Sequence, residues 1–70
     1  MPKWIEVTAT KVMVCAVEVP DGFSDDEADG MAMQAVADEI FGADIEVTGH
    51  LTEAVEVDRL LRHADEVYEL

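Results

Sequence analysis

Along residues 5–19 the apolar side chains fall on odd positions, Ile5, Val7, Ala9, Met13, Cys15, Val17 and Val19, with Lys11 the exception. Period-two alternation marks a strand with one buried face, and it predicts one long strand over 5–19. The even positions begin polar, at Glu6, Thr8 and Thr10, then turn apolar at Val12, Val14 and Ala16. The stretch from Val12 to Val17 is therefore apolar on both sides, which predicts a second helix or another subunit over its second face. Pro20-Asp21-Gly22 ends the strand, since proline cannot donate to a ladder and Asp-Gly favours a turn.

The period then changes. Ser24-Asp25-Asp26-Glu27 fits a capping box, with the serine hydroxyl on the amide three residues later and the glutamate reaching back. Acidic residues crowd the first turn, where the helix dipole favours them. Ala28, Met31, Ala32, Ala35, Val36 and Ile40 follow as one apolar stripe, so a helix is predicted over 25–41, closed by Gly42 at the C′ position just after Phe41. Gly30 lies inside it at a cost of about 1 kcal/mol relative to alanine.

From Asp44 to Val57 the odd positions again read as strand, but fourteen residues is long against a usual strand of about 5–6. Thr48-Gly49-His50 reads as a turn, so two short strands are predicted, over 44–48 and 53–57. After Asp58 as N-cap, Val57, Leu60, Leu61, Ala64, Val67 and Tyr68 fall at helical spacing, and Arg62 can pair with Asp58 and Glu66. A short C-terminal helix is predicted, with a last strand over 65–70 as its rival. The expected fold is a single α+β domain over 1–70, β-α-β-β with a C-terminal α, two layers, the first helix packed on a small antiparallel-rich sheet.

Charge changes the picture most. Seventeen Asp and Glu against four Lys and Arg in 70 residues give a formal net charge of −13. Self-repulsion of that size weakens a compact state, so the excess calls for an explanation: high salt, or a strongly basic partner. Half the residues are apolar, which argues against intrinsic disorder as the explanation. Nucleic acid and anionic membranes should repel the chain, so neither is an expected partner. No apolar run approaches the roughly 18 residues that span a bilayer, and Met1-Pro2-Lys3-Trp4 leads straight into strand pattern with no leader evident. The lone Cys15 cannot form an internal disulfide, which suits a reducing cytoplasm. A core this small would also gain from a symmetric second copy.

Candidate chemistry is sparse. Cys15 lies mid-strand on the inward face, where a thiol behaves as a small hydrophobe. His50 and His63 read as solvated side chains and do not make a metal site. Asp25, Glu27 and Asp29 with Gly30 match the first half of an EF-hand loop, but Val36 stands where the bidentate glutamate must be. No catalytic residue, cofactor site or metal site is assigned, and the chain reads as a non-enzyme. What remains is the distribution of acids. Asp25, Asp26, Glu27 and Asp29 gather at the start of the first helix, with Asp38 farther along. Glu46 and Glu56, with Glu6 and Glu18, are placed on the outward face of the strands. Phe23, Trp4 and Tyr68 are the candidate apolar anchors beside them, because charge alone does not supply affinity.

The plan Trp4-Ile5-Glu6-Val7-Thr8-Ala9-Thr10, then Val19-Pro20-Asp21-Gly22 and an acid-capped helix from Ser24, resembles small acidic inhibitors of phages and mobile elements, the anti-CRISPR and anti-restriction proteins. The resemblance rests on fold plan and composition. It implies a nucleic-acid mimic in the host cytoplasm, occupying the basic nucleic-acid-binding surface of a host defence complex. Two other readings stay open: a halophile's interaction module whose acidity is salt adaptation, and an antitoxin-like protein masking a basic toxin.

Overall fold

The structure, a computed structural model, describes residues 3–42 and 44–70; Met1, Pro2 and Ala43 lie outside the described residues. The chain order is β1 (Lys3–Ala9), β2 (Met13–Val19), α1 (Asp25–Glu39), β3 (Ile45–Leu51), α2 (Ala54–His63) and β4 (Glu66–Glu69). The strands form a mixed sheet in the order β3-β1-β2-β4, with β1 antiparallel to both β2 and β3, and β4 parallel to β2. The fold class is α+β, and α1 packs on the odd face of the sheet. Ile5, Val7, Ala9, Cys15, Val17 and Val19 meet Ala28, Ala32 and Val36 there to form the core.

The long strand predicted over 5–19 is instead a hairpin. Thr10 and Lys11 take left-handed backbone angles, φ 52° and 68°, and the Val12 N–H donates to the Ala9 carbonyl at 3.3 Å. The three residues between the strands leave Ala9 opposite Met13, so odd positions share one face on both arms. Alternation therefore runs through the turn undisturbed, and Lys11, its exception, is at the tip. Nothing in Thr10-Lys11 resembles the Asn-Gly pair that usually marks such a turn. Val12, read as doubly covered strand, is in the turn and 78% exposed.

The turn predicted at Thr48-Gly49-His50 is also corrected: all three lie within β3. Val47 stands opposite Val7 and Gly49 opposite Glu6, so Thr48 is the extra residue of a β-bulge. The bulge exchanges faces. Beyond it His50 is opposite Ile5, toward α1, and Leu51 opposite Trp4 on the even face. Residues 54–57, predicted as strand, are the first turn of α2, so the helix starts before Asp58. Both C-terminal rivals exist in sequence: α2 runs to His63, and β4 pairs with β2 from Cys15 opposite Glu66 to Glu18 opposite Glu69. Asp65 locks that junction, donating its N–H to the Val14 carbonyl at 2.8 Å and accepting the Val14 N–H on its carboxylate at 3.0 Å. Arg62 pairs with Asp58 at 3.1 Å as the spacing predicts, while Glu66, predicted as its other partner, is in the strand.

The second face of β2 does receive a helix. Leu60 of α2 is 6% exposed, and Ala16, on the even side, is fully buried.

Candidate binding groove

The site is built from the start of α1 outward. Ser24 is the N-cap: its Oγ accepts the Glu27 N–H at 3.2 Å and the Glu27 carboxylate accepts the Ser24 N–H at 3.0 Å. The residues a calcium loop would need are thus the cap and first turns of a helix. That backbone hydrogen bond holds the Glu27 carboxyl below the usual glutamate range. Lys3 reaches across from β1, donating to the Phe23 carbonyl at 3.2 Å and to Asp25 Oδ1 at 2.6 Å, and the ammonium holds the Asp25 carboxyl low as well. The clamp fixes the loop before the helix, with Phe23 at its edge. Past the helix, Gly42 takes φ 74°; Ile40 is the C-cap, so Phe41 is at C′ and Gly42, predicted at C′, is one residue beyond it.

An open groove of about 660 Å³ follows α1 from this clamp, lined by Phe23, Asp26, Glu27, Gly30, Met31, Gln34, Ala35, Asp38 and Leu70. The helical residues repeat every four positions: the column 27-31-35 lies one step around the helix from the buried column 28-32-36, and the exposed column 26-30-34-38 lies one step farther out. Leu70 closes the other side, held there because its N–H donates to the Glu18 carbonyl at 3.0 Å. The groove pairs apolar side chains with a carboxylate rim. Asp38 accepts a 2.8 Å hydrogen bond from Gln34 Nε2, and no Lys or Arg lines the wall.

The candidate residues are therefore divided. Asp26, Glu27, Asp38 and Phe23 come together in the groove. Asp25 is paired with Lys3, and Asp29 faces β3, where it is 2.6 Å from His50 Nε2. His50, read as a solvated turn residue, is a strand residue in a carboxylate pair, put there by the bulge. Glu46 and Glu56 do not form a row on the sheet. Glu46 is on β3 beside Lys11 and Asp44, whereas Glu56 is on α2 beside Glu6 and Arg59. Trp4 lines a separate hollow of about 380 Å³ with Leu51, Val57 and Leu61. Tyr68 is half-buried against the core, where desolvation pushes its phenol pKa up. Cys15 is fully buried and its thiol is pushed up by burial first and by Glu66 and Asp65 next, which keeps it a poor nucleophile.

Sequence reading missed Gly30, Met31, Gln34, Ala35 and Leu70 as groove residues. A signal existed for the helical ones: Met31 and Ala35 edge the predicted core stripe, and Asp26, Gly30, Gln34 and Asp38 repeat every four residues beside them. None existed for Leu70. Among the described residues no group of three or more His, Cys, Asp or Glu is arranged to hold a metal ion, and no helix is long and apolar enough to cross a membrane. Comparison with protein-family models, curated proteins and solved structures gave no match to this chain.

Proposed function

We propose that the chain is an acidic binding protein that occupies the basic nucleic-acid-binding surface of a partner complex, acting as an inhibitor of the anti-CRISPR or anti-restriction type. The observation that carries this reading is uncompensated surface charge on an ordered scaffold. Among the described residues no charged side chain is buried, and Lys3 pairs with Asp25, Arg62 with Asp58 and His50 with Asp29. Most of the −13 charge is left facing solvent. It attracts a basic surface from a distance, raising association rates at low salt and losing that gain as ionic strength rises.

The test is capture of a partner from a lysate of the candidate host, followed by displacement of labelled nucleic acid from it. The expected result is release of the nucleic acid, weakened by salt and by Asp26→Lys with Asp38→Lys. A partner that keeps its nucleic acid bound while the protein is bound overturns the reading.

The spread of carboxylates over both helices and the sheet favours one second reading, adaptation to high salt. A halophile's protein unfolds in dilute buffer as screening is lost. An inhibitor from a low-salt host stays folded there. A basic toxin as the captured partner would convert the reading to the antitoxin-like one.

A further inference from the structure

We infer that the groove along α1 receives a Lys/Arg-rich segment of a partner protein that inserts one apolar side chain at Gly30. This rests on the reading that the partner is basic, and it adds where the contact is made and what anchors it.

Gly30 is the starting point. It lies in the interior of α1, its φ is not in the left-handed region, and a Cβ built on it meets nothing within 4 Å. Neither backbone conformation nor close packing in the fold requires glycine there. Its missing side chain opens the middle of the column formed by Asp26, Gln34 and Asp38, beside Met31. At 1.5 Å per residue, Asp26 and Asp38 stand roughly 18 Å apart along the helix, with the opening between them. An apolar side chain at Gly30 meets Phe23, Met31 and Leu70. Basic side chains on either side of it meet Asp26, Glu27 and Asp38.

Charge complementarity selects this occupant. An anionic nucleic acid is repelled by the rim. A second copy brings its own −13 charge and only four Lys and Arg, two of which, Lys3 and Arg62, are already committed to Asp25 and Asp58. A neutral apolar segment would leave the rim carboxylates partly desolvated without partners. A basic segment with an apolar anchor satisfies both floor and rim.

The experiment compares two probe peptides, an amphipathic Lys/Leu peptide and the same peptide with every Leu replaced by Ser. Binding is followed by fluorescence anisotropy and by amide shifts in NMR. The Lys/Leu peptide is expected to bind about tenfold or more tightly than the Lys/Ser peptide, the worth of one buried leucine. Its shifts are expected over residues 23–38 and at Leu70. Gly30→Leu fills the opening and removes the tenfold difference. Because this change replaces glycine by a better helix former in open space, α1 stays folded, and circular dichroism checks it. Asp26→Asn with Asp38→Asn weakens both peptides. Equal affinity of wild-type protein for the two peptides, shifts centred on α2, or an undiminished preference in Gly30→Leu overturns the inference. In the first of these cases the basic-partner reading stands on charge alone. Groove binding by the peptide, with nucleic acid left undisplaced on the captured partner, supports this inference and sinks the inhibitor reading instead.

Discussion

Helix α1 gives the sheet three buried side chains, Ala28, Ala32 and Val36, whereas α2 gives it Leu60. The difference is not one of amphipathic pattern. In α2 apolar Val57, Leu60 and Leu61 are set cleanly against Glu56, Asp58, Arg59 and Arg62, while α1 carries Met and Ala on several sides. What separates them is the size of the contacting residues and the quality of the ends. The alanines of α1 let its backbone come close to the sheet, so that Ile5, Val7, Val17 and Val19 are sealed beneath it. Its N-terminus is a complete capping box, while α2 begins at Glu53 with no side-chain hydrogen bond to its free amides. At 10 residues α2 is also too short to persist without its contacts. A helix with a sharp polar-apolar division can thus rest on a fold, and one with apolar side chains to spare can be built into it and still present a groove.

The comparison breaks most completely at Val36. Val36→Asp puts an unpaired carboxylate in the core under α1, at a cost of about 3 kcal/mol or more. A chain of this size has only about 4–10 kcal/mol in total. Circular dichroism and urea titration should find it largely unfolded at neutral pH. Leu60→Ala should cost about 2 kcal/mol and act locally. Hydrogen exchange is expected to show α2 losing protection while β1 and β2 keep most of theirs; simultaneous loss everywhere would mean that α2 is as integral as α1.

The two ends give the finer tests. Ser24→Ala should destabilise by about 0.5–2 kcal/mol. Because the folded Glu27 carboxyl titrates below its usual range, its contribution is present above the unfolded pKa and lost as pH falls through the folded one. Ser24→Ala keeps the backbone N–H that Glu27 accepts, so the pH dependence is read with Glu27→Ala. Its gap from wild type in urea melts should be full above about pH 5 and shrink below about pH 4. The reverse change is available in α2. Glu53→Ser places a serine three residues before Glu56, the same box that α1 has, and should add about 0.5–1 kcal/mol. A thermal melt unchanged by it would show that α2 frays from its C-terminal end.

Much of α1 was legible from local sequence because a cap and a helical stripe are decided within a few residues of themselves. The groove was half legible. Phe23, Asp26, Glu27 and Asp38 were identifiable as an acidic cluster with an aromatic neighbour, yet Asp25 and Asp29 belong to the same cluster and are drawn off by Lys3 and His50. Those partners are 22 and 21 residues away in sequence, and no local pattern announces them.

The sequence by itself determined the α+β class, the odd-numbered core face, the extent and cap of α1 to within a residue or two, and the excess of negative charge. Each follows from periodicity, short-range hydrogen bonding or counting. Tertiary structure decided the hairpin at Thr10-Lys11, whose odd number of loop residues hides it from a period-two pattern. It decided that β3 continues through Gly49, because a bulge opposite Glu6 and Val7 absorbs the extra residue and turns His50 toward Asp29. It placed β4 parallel to β2 across some 50 residues of chain, which brings Leu70 to the side of α1 and closes the groove. Pairing partners at that separation are chosen by which strand edge remains open after the hairpin and helix have formed, and an edge exists only in three dimensions.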